Sequence, residues 1–446
     1  MTGRYQAYPE YKNSSVEWVG DIPKSWGMWK IAHAYNDIGS GTTPPTGNEE
    51  LFKGDIPWIT TGELRENIIL ETKKKLTGTA ISMYPTLRKY PVGSIAIAMY
   101  GATIGRLGIF GVEATTNQAC CVMPNSNQVF NKYLFYWLYA FKEDIIRLSS
   151  GGGQPNINQE KVASLKVSAP VYEEQQKIAN FLDHETAKID TLIAKQEKLI
   201  ELLKEKRQAI ISHAVTHGLN PDAPMKDSGV EWLGKVPEHW LHTSLKHYSN
   251  IIDCKHITAE FFDDGIPLAS IGEVKGWFVD LKNAKLTNEE YYNDLIGGGR
   301  APQVGDIIYS RNATVGEAAI VANNLPLFAL GQDVCLLKQS KNILSEYLMF
   351  VLHSGVISQQ LELAMVGSTF KRINVENIKS FLIALPPLDE QEMIVKELEK
   401  KLSKYDSLIS NAVNAIELMK ERKTALISAA VTGKIDVRDY EVVANG

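Results

Sequence analysis

Few positions in this chain combine residue type and spacing in a way that could do chemistry. His213 and His217 stand four apart, one helical turn, a spacing that can hold a metal ion. Glu273 and Lys275 in GEVKG, with Asp263 or Asp264 upstream, have the Glu-x-Lys form of metal-dependent nucleases. Both readings weaken when the chain is compared with itself. A second copy of the surrounding sequence has Ala429 and Gly433 where the histidines stand, and GELRE, with Arg65, where GEVKG stands. Solvated helix-end histidines and charge at a strand end are therefore preferred, and no metal site is expected. Gly151 to Gly153 and Gly297 to Gly299 lack phosphate-loop spacing and read as turns. No nucleotide, zinc-protease or serine-hydrolase motif occurs elsewhere.

What remains is a set of cations in segments that differ between the copies, suited to phosphates and base edges. They are Lys73, Lys74, Lys75, Arg88, Lys89 and Arg106 in the first half, and Lys255, His256, Arg300, Arg311, Lys371 and Arg372 in the second. The whole chain has a formal net charge of -5, which argues against a polybasic binder. Residues 1 to 172 hold 17 Lys and Arg against 14 Asp and Glu, a net of +3. Residues 220 to 385 hold 14 against 19, a net of -5, so nucleic acid would be held there by local patches or with a basic partner.

The elements that must carry these side chains are laid out twice. VEWVGDIPKSW at Val16 returns as VEWLGKVPEHW at Val230, 214 positions on. DIPWITTGEL returns as GIPLASIGEV, PVGSIAIAMYGATIG as QVGDIIYSRNATVG, APVYEEQQKI as LPPLDEQEMI, and RQAIISHAVT as KTALISAAVT. Gln118 in TNQACCV matches Gln332 in LGQDVCL. A period this long indicates a tandem duplication, not a solenoid. Within each copy, short apolar runs broken by Gly, Pro, Asn and Thr predict a turn-rich α+β globule, with a helix over NKYLFYWLYAFKEDIIRLSS and over SEYLMFVLHSGVISQQLELA.

Each globule is followed by a stretch of another kind. From Glu173 to His217, and again from Asp389 to Thr432, there is no proline or glycine. Apolar residues recur in heptads: Leu182, Ile189, Leu203 and Ile210 (with Gln196 interposed) in one row, Leu192 and Leu199 in another, and Leu398, Tyr405, Ala412, Met419 and Leu426 in the second copy. Ile178, Ile193, Ile200 and Ile211 flank the first row, leaving apolar surface for partners. At 1.5 Å per residue each helix would run roughly 65 Å. The fold expected is α+β: two tandem α/β modules separated and followed by long helices that pair as an antiparallel coiled coil, pseudo-twofold, with the globules at opposite ends of a rod. The boundaries are 1–170 for the first module, 171–218 for the central helix, 219–385 for the second module, and 386–446 for the last helix and tail. The four cysteines show no disulfide or metal spacing, and no signal region or 18-residue apolar run occurs, so a cytoplasmic protein without a membrane span is expected.

The ordered set GSGTTPP, GDIPWITTGEL, YGATIG, TNQACC and GGGQPNIN, then P-x-x-E-E-Q-x-x-I leading into a long helix, resembles the specificity subunit of Type I restriction-modification enzymes. The second half repeats it as GIPLASIGE, NATVG, GQD, INVENI, PPLDEQEMI and ALISAAVTGKID, so the resemblance covers essentially the whole chain. It implies that each module is a target recognition domain reading one half of a bipartite, asymmetric DNA sequence. The helices would fix the spacer and dock two methyltransferase subunits, with motor-nuclease subunits completing the complex. S-adenosylmethionine, ATP and Mg would belong to those partners, and this chain would be non-catalytic, with no cofactor. The second copy has DCKHITAEF in place of the GTTPP turn and GSTFKRIN in place of GGGQPNIN, so base-contacting roles do not transfer between halves. Two other readings are a twofold protein-binding adaptor and an autonomous nuclease using Glu273 and Lys275.

Overall fold

The computed structural model describes residues 5–149, 156–365 and 372–440. The chain divides into two compact units, one of residues 1–196 with 414–446 and one of residues 197–413. Each unit holds one globular module together with part of both long helices.

In the first unit the central sheet runs in the order Cys120–Met123, Ile95–Ala98, Leu107–Phe110, Asn67–Ile69. In the second it runs Ile251–Asp253, Val334–Leu337, Ile307–Ser310, Ala318–Ile320. The three shared strands are the apolar runs that recur in both copies. The fourth strand differs in edge: Asn67–Ile69 lies parallel to Leu107–Phe110, whereas Ile251–Asp253 lies antiparallel to Val334–Leu337. A smaller sheet flanks each, built on Ile56–Ile59 between Lys75–Leu76 and Thr115–Thr116, and on Ile266–Ala269 between Lys285–Thr287 and Ala329–Leu330.

The helix expected inside each module is broken in two. Asn131–Ala140 is followed by Lys142–Arg147, and Ser345–Leu352 by Gly355–Met365. In the second copy the break is held by polar capture: Ser354 Oγ donates to Val351 O at 2.6 Å, and the Gly355 N–H donates to Ser212 Oγ at 2.8 Å.

The long helices span Tyr172–His217 and Leu388–Val431, within a residue of the sequence boundaries. Gly218, at φ +74°, follows the first as a left-handed terminator that a side chain would strain. Within the first unit the start of one helix packs on the end of the other: Ile178, Leu182 and Ile189 share a core with Leu426, Ile427 and Ala430, and Lys423 Nζ meets Asp190 at 2.7 Å. Within the second unit the ends are exchanged: Ile211, Ala214 and Val215 join Ile394, Leu398 and Leu402, and Arg207 Nε meets Asp406 at 3.0 Å. The pairing is antiparallel in both.

One row of the expected seam forms and the other is displaced. Leu182, Ile189, Leu398 and Leu426 are buried, and Leu203, Ile210, Tyr405 and Met419 half-buried. Leu192 and Leu199 stay 48% and 43% exposed, and the second row is Ile193 and Ile200, one residue later. The reason is the helical angle: a residue four beyond Ile189 lies about 40° from it, one three beyond about 60° away on the other side, so the i, i+4 edge faces inward.

The paired motifs anchor modules to helices. Gln175, fully buried, accepts the Phe130 N–H at 2.7 Å and donates to Gln128 O at 3.1 Å and Pro170 O at 2.9 Å. Gln391 does the same with the Leu344 N–H at 2.9 Å, Asn342 O at 3.2 Å and Pro386 O at 2.9 Å. The E-E-Q and D-E-Q phrases thus satisfy backbone groups that burial would otherwise orphan. Among the described residues no helix is long and apolar enough to cross a membrane.

Candidate nucleic-acid interface

Four of the second module's six cations gather on one segment, Asp253 to His256. The Asp253 carbonyl accepts Arg300 Nε at 2.7 Å, and Arg300 Nη1 donates to Gly297 O at 2.7 Å. His256 Nε2 lies 3.4 Å from Asp253 Oδ2, and Arg311 Nη2 lies 2.6 Å from Oδ1. Lys255 sits between, beside Gly297. Arg372 is exposed and bridged to Asn312, next to Arg311, while Lys371 lies outside the described residues.

Arg311 corrects the expectation of a base contact. Its side chain is only 3% exposed, so in this structure it supports the segment from beneath. Its approach to Asp253 Oδ1 lies off the N–H direction, making the contact ionic, not a formed hydrogen bond, and Nε has no partner among the described residues. Asp253, Cys254 and His256 could present three metal donors within 4.8 Å of one another. The chemistry does not favour an ion: Asp253 Oδ1 already faces the Arg311 guanidinium and Oδ2 the His256 ring, and burial pushes the Cys254 thiol up, toward its protonated form.

In the first module the cations stay apart. Arg88 Nε donates to Tyr90 Oη at 2.8 Å and its Nη1 pairs with Asp37, so the guanidinium braces the fold. Lys89 Nζ is 3.2 Å from Glu113. Arg106 is half-buried in a turn, its N–H on Thr103 O at 3.0 Å. Lys73, Lys74 and Lys75 are exposed and lead into the edge strand of the smaller sheet, with Lys74 Nζ 5.1 Å over the Phe52 ring.

The residues that recur between modules hold loops in place. Thr43 Oγ1 donates to Gln118 Oε1 at 2.6 Å, and Gln332 Nε2 donates to Thr258 Oγ1 at 3.0 Å. Glu63 accepts the Thr60 N–H at 2.9 Å, and Glu273 the Ser270 N–H at 2.8 Å. Glu273 is thus a turn cap in this structure, and Lys275 is exposed. His213 and His217 stack at 4.9 Å, with Thr216 Oγ1 2.7 Å from His217 Nδ1. Burial, and then the neighbouring His213, hold the His217 imidazole below its ordinary pKa.

Sequence reading missed a pair of cation and aromatic contacts at matching places. Lys285 Nζ lies 4.2 Å from the centroid of the exposed Phe261, and Lys74 Nζ 5.1 Å from that of Phe52.

Residues 33–202 and 260–418 match the family described as Type I restriction modification DNA specificity domain. The Type I restriction enzyme MjaVIII specificity subunit of Methanocaldococcus jannaschii is 23% identical over 429 residues, 94% of this chain and 95% of the relative. The EcoBI specificity subunit of Escherichia coli is 25% identical over 72% of this chain and 69% of its own. Among solved structures, a chain from work on complex assembly and conformational transition of the type I R-M system superposes with a TM-score of 0.70 at 16% identity, covering 93% of this chain and 99% of that one. The HsdS subunit from Thermoanaerobacter tengcongensis gives 0.51 at 16% identity, covering 93% and 98%. At these identities the structural likeness speaks to fold alone.

Proposed function

Since the chain belongs to the Type I restriction modification DNA specificity family, we propose that its two modules read the two halves of one split DNA target. The observation that carries this is the contrast within the repeat. Gln118 and Gln332 each bond a threonine of the neighbouring loop, one accepting and the other donating, the turn-capping glutamates and three sheet strands recur, and the cations on the loops they hold do not. One scaffold with two different surfaces suits an asymmetric bipartite sequence.

The chain itself catalyses nothing in this reading and binds no cofactor. Two methyltransferase subunits dock against the exposed apolar faces of the long helices and bring S-adenosylmethionine; motor-nuclease subunits bring ATP and Mg. The assembly acts on double-stranded DNA in the cytoplasm. The net charge of -5 on residues 220 to 385 is consistent with a partner that closes around the DNA and supplies phosphate contacts.

Adenine methylation, read genome-wide in a host deleted for the chain and then complemented, tests the reading. A single motif with a fixed gap should appear only on complementation, and exchanging residues 219–385 should change one half of it. If the cognate methyltransferase is active and no motif depends on the chain, the reading fails.

A further inference from the structure

We propose that the second module carries a pocket for a nucleobase drawn out of the target duplex, and that the first module has this pocket closed. The inference rests on the DNA-reading function above.

At matching places in the smaller sheets the two modules carry Trp58 and Leu268, beneath loops of different sequence. Trp58 pairs with Thr115 across the smaller sheet, and Leu268 pairs with Ala329 in the same way. Trp58 is 4% exposed, donates through Nε1 to Thr42 O at 3.2 Å, and packs edge-on against Phe52 at 5.6 Å. It fills the space beneath the loop. Leu268 is too short to do so, and a cavity of about 500 Å³ stands over Leu268, Leu295 and Leu330. This lies within the range of ligand sites.

The lining selects a planar, uncharged ring. Phe261 forms one wall and is 56% exposed, steadied from one face by Lys285, an arrangement on which a base can stack. The rim supplies edge contacts. Glu273 Oε2 is occupied by the Ser270 N–H, but Oε1 has no partner among the described residues. The Asn283 amide is likewise without one, and Gln332 Oε1 lies on the same rim. A phosphate would face the Glu273 carboxylate, whereas an exocyclic amine would donate to it. Adenine, cytosine and guanine carry such an amine, and thymine does not. The wall Ile257 to Phe261 continues the segment that bears Lys255 and His256, so pocket and cations share one loop. A base reaches such a pocket only by leaving the stack.

The test uses the full chain assembled with its methyltransferase subunits. Duplexes carry the methylome-derived target with 2-aminopurine, or pyrrolocytosine for cytosine, placed singly through the half-site read by the second module. One position other than the methylated adenine should show a severalfold fluorescence rise on binding. Leu268→Trp, which copies the first module, should abolish that rise and weaken target binding about tenfold. Asn283→Ala should reduce it; Asn283 is exposed, so this variant decides the matter even if the tryptophan disturbs packing. No rise, or a rise confined to the methylated adenine and indifferent to both substitutions, overturns the proposal while leaving target binding, and hence the DNA-reading function, intact. Binding of free adenosine or cytidine without any such rise also overturns it, because the ring would then not come from DNA. If the complex prefers its target no more than a scrambled duplex, both inferences fall.

Discussion

Trp240 Nε1 donates to Glu390 Oε2 at 3.0 Å, and Trp26 Nε1 makes the same bond to Glu174 Oε1 at 3.0 Å in the other unit. Each bond joins the last tryptophan of the repeated opening phrase to the first turn of a long helix. Both indoles are fully buried, so the carboxylate is the group that makes their burial tolerable. Glu390→Ala leaves the Trp240 N–H without an acceptor and should lower stability by about 1–3 kcal/mol, read as a lower urea midpoint at unchanged slope. Glu390→Gln keeps one acceptor oxygen and should cost less. Equal midpoints for wild type and Glu390→Ala would show that the bond contributes nothing.

The displaced seam predicts an inequality between neighbours. Ile189 is buried and Ile193 half-buried, whereas Leu192 is 48% exposed. Ile189→Ala should cost about 2–4 kcal/mol, and Leu192→Ala within about 0.5 kcal/mol of zero, in parallel denaturant titrations. If the exposed leucines serve the methyltransferase, Leu192→Ala with Leu199→Ala should lower co-purification of that subunit while the midpoint stays in place.

The long helices were legible because a 3.6-residue period without proline or glycine leaves no other element, and both ends fell within a residue. The repeat made the shared strands legible in the same way. The second seam row was not, since Leu192 and Ile193 are both apolar and only packing geometry chooses between them. Arg311 read as an accessible cation because it ends an apolar strand, where a turn usually brings side chains to the surface; here the strand end is roofed by the Asp253 to His256 segment. Trp58 and Leu268 stood aligned in the sequence, but the volume they exchange became a cavity only once the loop above them was placed.

His217 gives the chain a pH dependence with a defined sign. Its folded pKa lies below the ordinary value, because of burial first and His213 second. The unfolded chain therefore binds the proton at higher pH than the folded one. The stability tied to this site is fully present above the ordinary histidine pKa and is lost as pH falls through it toward the lower folded value. The unfolding midpoint should drop between about pH 7 and pH 5, and His217→Asn should flatten that drop. His213→Ala should move the His217 titration, followed by NMR, part of the way back up, since burial remains.

Salt dependence separates the cations that touch DNA from those that hold the fold. A cation on a phosphate contributes about 0.9 to the slope of log affinity against log salt. Arg372 is exposed and Lys255 half-buried, so Arg372→Ala in the assembled complex should reduce that slope by about that amount with folding unchanged, and Lys255→Ala by no more than that. Arg311 is the opposite case. Its removal leaves Asp253 facing its own module without its cation, and Asp253 is 33% exposed, so Arg311→Ala should cost about 2 kcal/mol, less than the ~3–5 of a fully buried pair. Its DNA affinity should fall only as the loop loosens, with the slope retained when binding is measured well below the unfolding midpoint. A slope reduced by about 0.9 in stable Arg311→Ala protein would mean that the guanidinium swings out to the phosphate backbone and that its buried position belongs to the free chain.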